Sequence, residues 1–272
     1  MESTLEKKAL DKLALAVREA GSYAKRQQQH INRSYKKDGT VITETDLAIS
    51  KRIINVITEL FPQANIISEE TLTPFSEQAP FTFVLDPIDG TDVYSQGLPS
   101  WAVALGILDK NRTPVGAMIS APRWGIGEDE LFLRLDPGKE LLINDQPFAM
   151  EEEKDFPHQI TMGSSGQRLM DFSRYTGKIR IFGSSILHML SPLIYDHIQG
   201  CVNQSCYVWD VAASHAALLA AGMLVEYVDG SPFIYDDDFL LNRKPFAPSI
   251  YVGTRACIDV LREVLPPTRW ME

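Results

Sequence analysis

The sequence predicts an α+β fold from three observations: two amphipathic helical patterns at the start, a series of apolar runs joined by short turns, and a later alternation of strands with helices. Leu5, Leu10, Leu13, Val17, Ala20 and Ala24 recur near helical spacing with Lys and Glu between them, so the first element is an amphipathic helix. Val41 and Ile42 precede Thr43-Glu44-Thr45-Asp46, after which Leu47, Ile49, Ile53, Ile54 and Ile57 trace a second helix that ends before Pro62. Ala64 to Ser68 and Phe81 to Leu85 are apolar runs that stop at Glu69-Glu70 and at Asp86. Trp101 to Leu108, Val115 to Ala121 and Leu131 to Leu135 continue as strands joined by Pro, Gly and Asn turns. The first half thus reads as two helices against a mainly antiparallel sheet, with Trp101 in the core. Glu151-Glu152-Glu153-Lys154-Asp155 interrupts the apolar pattern and marks a boundary between halves 1–150 and 151–272. Beyond it, strands near Gln159 to Met162, Ile179 to Phe182, Leu224 to Val228 and Ser249 to Val252 alternate with helices near Ser184 to Ile194, Val211 to Ala221 and Thr254 to Val264. That alternation predicts an α/β second half.

Composition narrows the function classes. A chain of 272 residues, 44% hydrophobic and 23% charged, reads as ordinary globular protein with a large core. Its net charge of -10 gives no basic footprint for nucleic acid or an anionic membrane, so neither is expected as a partner. An acidic protein that binds a phosphate ester needs cations to do so. Cys201, Cys206 and Cys257 are an odd count without a second pair to complete a zinc site, and read as reduced thiols. Met1 to Lys8 is not followed by the apolar stretch of a secretory signal, and Val211 to Val225 is too short to span a bilayer. A cytoplasmic location is the expectation.

The chemistry concentrates in Phe83-Val84-Leu85-Asp86-Pro87-Ile88-Asp89-Gly90-Thr91, where an apolar strand gives way to two carboxylates and a turn. Magnesium prefers hard oxygen ligands and takes one or two carboxylates together with phosphate and water. Asp86 and Asp89 supply such oxygens, Pro87 stiffens the turn, and the carbonyl of Ile88 is a further neutral donor. Gly90 permits a tight turn, and the amides of Gly90 and Thr91 can face an anion. The same letters also describe a plain turn between strands. Asp46, near the start of the second helix, reads locally as a charge favourable to the helix dipole, and Asp210, opening the Ala-rich helix after Trp209, as a cap.

Taken in order, Thr43-Glu44-Thr45-Asp46, Ser68-Glu69-Glu70, Asp86 to Thr91 and Trp209-Asp210-Val211-Ala212-Ala213 resemble the inositol monophosphatase family, within the lithium-sensitive, magnesium-dependent phosphatases. The resemblance covers most of the chain. It implies an α-β-α-β-α five-layer sandwich of the inositol monophosphatase and fructose bisphosphatase type, a homodimer, and about two or three magnesium ions. Carried over residue by residue, the metal ligands are Glu69, Asp86, the Ile88 carbonyl, Asp89 and Asp210. Thr91 and Asp46 become the pair that orients the attacking water, and no covalent phosphoenzyme is formed. Gly90 and Thr91 seat the phosphate.

The alcohol side matches less closely. Ser164, Gly183, Ser184 and Ser185 resemble loops through which the family contacts the alcohol, while reading equally as turns and caps, and Asp210 also falls within reach of substrate. Seven residues before Asp210, where animal inositol monophosphatases carry a glutamate, stands Asn203. Asp92-Val93-Tyr94 replaces the usual Thr-Asn-Phe. The resulting expectation is a magnesium-dependent phosphomonoesterase acting on inositol monophosphate or a related polyol or sugar phosphate. The alternatives are a 3'(2'),5'-adenosine bisphosphate phosphatase and a non-catalytic interaction protein that retains the fold.

Overall fold

The computed structural model describes residues 5–126, 130–150 and 157–268. The charged run at 151–155, and the boundary drawn there, lie outside them. The first amphipathic pattern forms α1 (Lys7–Gln27), followed by a two-stranded ribbon of β1 (Arg33–Tyr35) and β2 (Val41–Thr43) that leads directly into α2 (Glu44–Leu60). Thr43 and Asp46 form a capping box at the start of α2, each side chain meeting the other residue's backbone.

The apolar runs then form β3 (Asn65–Ser68), β4 (Phe81–Asp89), a short α3 (Thr91–Ser95), β5 (Ala102–Asp109), β6 (Pro114–Ala121), β7 (Leu131–Leu135), β8 (Leu141–Ile143) and β9 (Gln146–Pro147). These strands stand in sequence order as a seven-stranded sheet, parallel between β3 and β4 and antiparallel elsewhere. The later alternation yields β10 (Gln159–Met162), α4 (Gly166–Leu169), β11 (Lys178–Arg180), α5 (Ser185–Ile194), β12 (Gly200–Asn203), α6 (Ala212–Ala220), β13 (Leu224–Tyr227), α7 (Asp237–Leu240), β14 (Ile250–Gly253) and α8 (Arg255–Val264). Its sheet runs β11-β10-β12-β14-β13, parallel around β10 and antiparallel around β14.

Three hydrophobic clusters show how the layers stack. Leu13 and Val17 of α1 and Ile49, Ile53 and Ile57 of α2 pack on Phe83, Leu85, Val103 and Leu105, one face of the seven-stranded sheet. Each such side chain contributes about 1.5–3 kcal/mol by leaving water. The opposite face, through Val84, Ala102, Ala104 and Ile119, meets α5 and α6, which in turn pack on Cys201, Ile250 and Val252 of the second sheet. Beyond that sheet, Ile160, Val202 and Tyr251 are covered by Cys257, Ile258 and Leu261 of α8. Helices, sheet, helices, sheet and helix give five layers, α-β-α-β-α. A Cβ at Gly106 would lie 2.8 Å from Ala212 and Ala213, so glycine lets α6 seat directly on β5. Trp101 is fully buried, and all three cysteines are free thiols. Among the described residues, no helix is long and apolar enough to cross a membrane.

Candidate active site

Side chains along a strand alternate in direction, so residues three apart ordinarily face opposite sides of a sheet. The register of β4 against β5 removes that obstacle. Asp86 pairs with Ala104 and Asp89 with Ala102, so three steps on β4 match two on β5. This one-residue bulge returns Asp89 to the face of Asp86, the face that meets α5 and α6. Asp210 closes a short 3-10 turn at Val208–Asp210, directly before α6, and its Oδ2 accepts from the Tyr207 amide at 2.7 Å. The two strand aspartates and Asp210 each bring a carboxylate oxygen within 4.8 Å of the others.

These carboxylates are crowded, Asp86 and Asp89 buried and Asp210 partly so. Burial, followed by the charges of neighbouring carboxylates, holds Asp86 and Asp210 well above the usual carboxylate range. Asp89 is pushed up to about 6, burial outweighing hydrogen bonds from the Ser184 hydroxyl and the Ile186 amide (2.8 Å). Asp86 Oδ1 is buried without a hydrogen-bond partner among the described residues. Three converging hard oxygens, one of them unsatisfied, suit a divalent cation such as magnesium.

Beside the cluster, Thr91 Oγ1 lies 3.0 Å from Asp46 Oδ1 and 2.9 Å from the Ile88 carbonyl, so its one proton serves either acceptor. Asp46 is fully buried, and its second oxygen accepts from the Thr43 amide at 2.9 Å and from the Thr43 hydroxyl. Burial lifts Asp46 to about 6 against the pull of those hydrogen bonds. Gly90 turns the chain between β4 and α3 with φ +88°, and a Cβ there would meet the Ser100 and Gly183 carbonyls at 3.2 and 3.3 Å. Glu69, at the end of β3, is lifted by burial to about 7, with Lys36 opposing and Glu70 reinforcing the shift. The Lys36 ammonium, 2.6 Å from Glu69 and 2.7 Å from Glu70, spans both carboxylates. Sequence reasoning passed over Lys36: a lysine beside Lys37-Asp38-Gly39 signals only a polar turn.

Glu69, Asp86, Ile88, Asp89, Gly90, Thr91 and Asp210 line one cleft of about 430 Å³, together with Asp92 and part of the β1–β2 ribbon. Asp46 adjoins that lining through Thr91. The serines of the second half divide. Ser184 caps α5, accepting from the Leu187 amide at 3.1 Å while donating to Asp89, and the Ser185 amide reaches Asp89 at 3.4 Å. Gly183, with φ +93°, makes the turn that presents them. Ser164 is exposed on the loop before α4, outside the cleft lining. Asn203 is 2% exposed, its amide nitrogen 3.6 Å from Cys206 Sγ, and it does not line the cleft.

Known proteins resemble the chain in sequence and in fold. The family model for the inositol monophosphatase family matches residues 3–251. The chain is 27% identical over 224 residues to the Nus factor SuhB of Pasteurella multocida, covering 77% of this chain and 81% of that one. It is 26% identical over 222 residues to the inositol-1-monophosphatase ImpA of Mycolicibacterium smegmatis, covering 77% and 78%. Its fold matches that of an IMPase/NADP phosphatase solved with Mg2+ and phosphate, with a TM-score of 0.78 over 97% of this chain and 98% of that one at 14% identity. The layered fold and the match over nearly the whole chain lead to one conclusion: this protein belongs to the inositol monophosphatase family, whose members are phosphoric monoester hydrolases.

Proposed function

We propose that the protein hydrolyses a phosphomonoester of a small alcohol by direct attack of water, with Mg2+ as its cofactor. The observation that carries this reading is the convergence of Asp86, Asp89 and Asp210 within 4.8 Å, beside the Thr91–Asp46 pair. Asp86, Asp89 and Asp210 would hold the metal, with Glu69 and the Ile88 carbonyl as further oxygen donors for about two or three ions in all. The IMPase/NADP phosphatase with the same fold, complexed with Mg2+ and phosphate, supports the choice of ion. Bound there, magnesium supplies positive charge to the phosphoryl oxygens, acidifies water and stabilises the departing alkoxide.

The remaining steps belong to the chain's own groups. Thr91 donates to Asp46, which leaves the threonine oxygen's lone pairs to accept from an incoming water and aim it at phosphorus. Asp46, already poised near neutrality at about 6, receives the proton passed through Thr91 as the water oxygen bonds to phosphorus and the ester oxygen leaves. Gly90 and Thr91 offer backbone amides to the phosphate from the cleft wall.

The test is steady-state phosphate release from inositol monophosphate, sugar phosphates, histidinol phosphate and adenosine bisphosphate, with magnesium and with chelator. Magnesium-stimulated release from at least one, inhibited by lithium where sodium has no effect, is the expected result. No magnesium-stimulated release from any of them overturns the reading.

A further inference from the structure

The β1–β2 ribbon is an unusual wall for an acidic cleft. All three residues of β1 are exposed, so this strand is not held by core packing. Its antiparallel register sets Tyr35 opposite Val41, and directly opposed residues share one face of a ribbon. Both line the cleft that contains Asp86, Asp89 and Asp210. Tyr35 is 65% exposed, and among the described residues its side chain has no ring partner, ion pair or hydrogen bond. The exposed ring of Tyr35 and the half-buried Val41 form an apolar surface beside a phosphate-type site, where the alcohol portion of a bound ester would rest.

Acceptors for a polyol's hydroxyls stand on the carboxylate side of the cleft, at Asp86 and Asp210, and not on the Tyr35–Val41 face. A polyol presents hydroxyls that need acceptors on its binding wall. Asn203, the residue that sequence comparison offers for this, is buried, turned toward Cys206 and absent from the cleft lining. Asp92, which does line the cleft, is occupied by the Gln96 amide at 3.0 Å and faces the Arg33 guanidinium at 3.6 Å. A flat unsaturated ring asks for something else: a face to stack on and an apolar edge to rest against, which Tyr35 and Val41 provide. A cleft of about 430 Å³ accommodates a phosphate together with one such ring.

We propose that the Tyr35–Val41 face of the β1–β2 ribbon is a subsite for a planar, unsaturated ring in the alcohol portion, which makes phosphomonoesters bearing such a ring, such as nucleoside monophosphates, better substrates than polyol phosphates. This rests on the phosphomonoesterase reading above.

The experiment measures kcat/KM in magnesium for adenosine 2'-monophosphate, myo-inositol 1-phosphate and glycerol 2-phosphate, using wild type, Tyr35→Ala and Tyr35→Phe. Wild type should favour the adenosine ester over both others. Tyr35→Ala should lower the ratio of adenosine to glycerol ester about tenfold, through KM rather than kcat, and Tyr35→Phe should restore it because the ring is what binds. Wild-type preference for either ester without a planar ring, an equal loss on all substrates, an unchanged ratio, or failure of phenylalanine to rescue each overturns the subsite. Absence of magnesium-dependent hydrolysis of every ester by wild type is a different result, and brings down the phosphomonoesterase reading itself.

Discussion

Asp89 accepts hydrogen bonds from the Ser184 hydroxyl and from the Ile186 and Ser185 amides, yet its carboxyl still sits near 6. Burial penalises the charged form by more than those bonds repay, so the group keeps its charge best beside a cation. Asp89→Asn retains the volume and one acceptor oxygen but deletes the charge. It should lower kcat/KM at least about 100-fold in magnesium, while the melting temperature in chelator stays level or rises, because a buried carboxylate has left a crowded site. Unchanged turnover in a phosphate-release assay would refute the assignment. At this scale sequence reading saw the residue types but not the division of labour within them. Asp46 read locally as a helix-start charge and by resemblance as a catalytic partner, and the structure gives it one oxygen on Thr43 and the other facing Thr91. Letters do not show that a carboxylate has two oxygens with separate partners. Ser184 is similar: anticipated as a cap or an alcohol contact, it caps α5 and also donates to Asp89.

The elements legible in the sequence were those with a period. α1, α2 and β3 to β7 declare themselves through helical stripes or apolar runs bounded by turns, and the structure places them within a few residues of expectation. β12 was missed. Its four residues are all buried, so no alternation marks it, and Cys201 drew attention to thiol spacing instead. β1 was missed for the opposite reason, since an exposed strand leaves no apolar trace. Neither could the bulge in β4 be read, because it is a relation between two strands. The turn that follows it is testable. Gly90→Ala forces a side chain into φ +88° and toward two carbonyls at 3.2 and 3.3 Å. Urea unfolding should show a loss of about 1–3 kcal/mol, accompanied by reduced turnover as Thr91 shifts. A fully stable variant would mean the turn relaxes freely.

Across the whole molecule, the cleft is where the first sheet meets the helices between the sheets: Asp86 and Asp89 come from β4, Asp210 from the start of α6, and the hydrogen bonds on Asp89 from the start of α5. Its concentration of buried acid shapes stability. Burial raises the folded pKa of Asp46 and Asp89 from 3.8 to about 6, and that of Glu69 from 4.5 to about 7. A folded pKa above the unfolded one means the folded protein binds protons more tightly. The associated stability is full below about pH 4 and is lost as pH rises through about 6 to 7. In chelator the melting temperature should therefore be higher near pH 5.5 than near pH 7.5, and magnesium should narrow the gap by binding the ionised groups. A flat or rising profile in chelator would contradict the shared burial of these carboxylates.

The bulge in β4 also makes this site a matter of counting. The chain can absorb extra residues at the Pro137-Gly138 turn between β7 and β8 for little entropy. One residue gained or lost between Asp86 and Asp89 is another matter: it sends one aspartate to the far side of the sheet, with both carboxylates still present in the sequence and their cluster broken. The carboxylate cluster depends on a length before it depends on a composition, so an insertion or deletion there is more damaging than most substitutions.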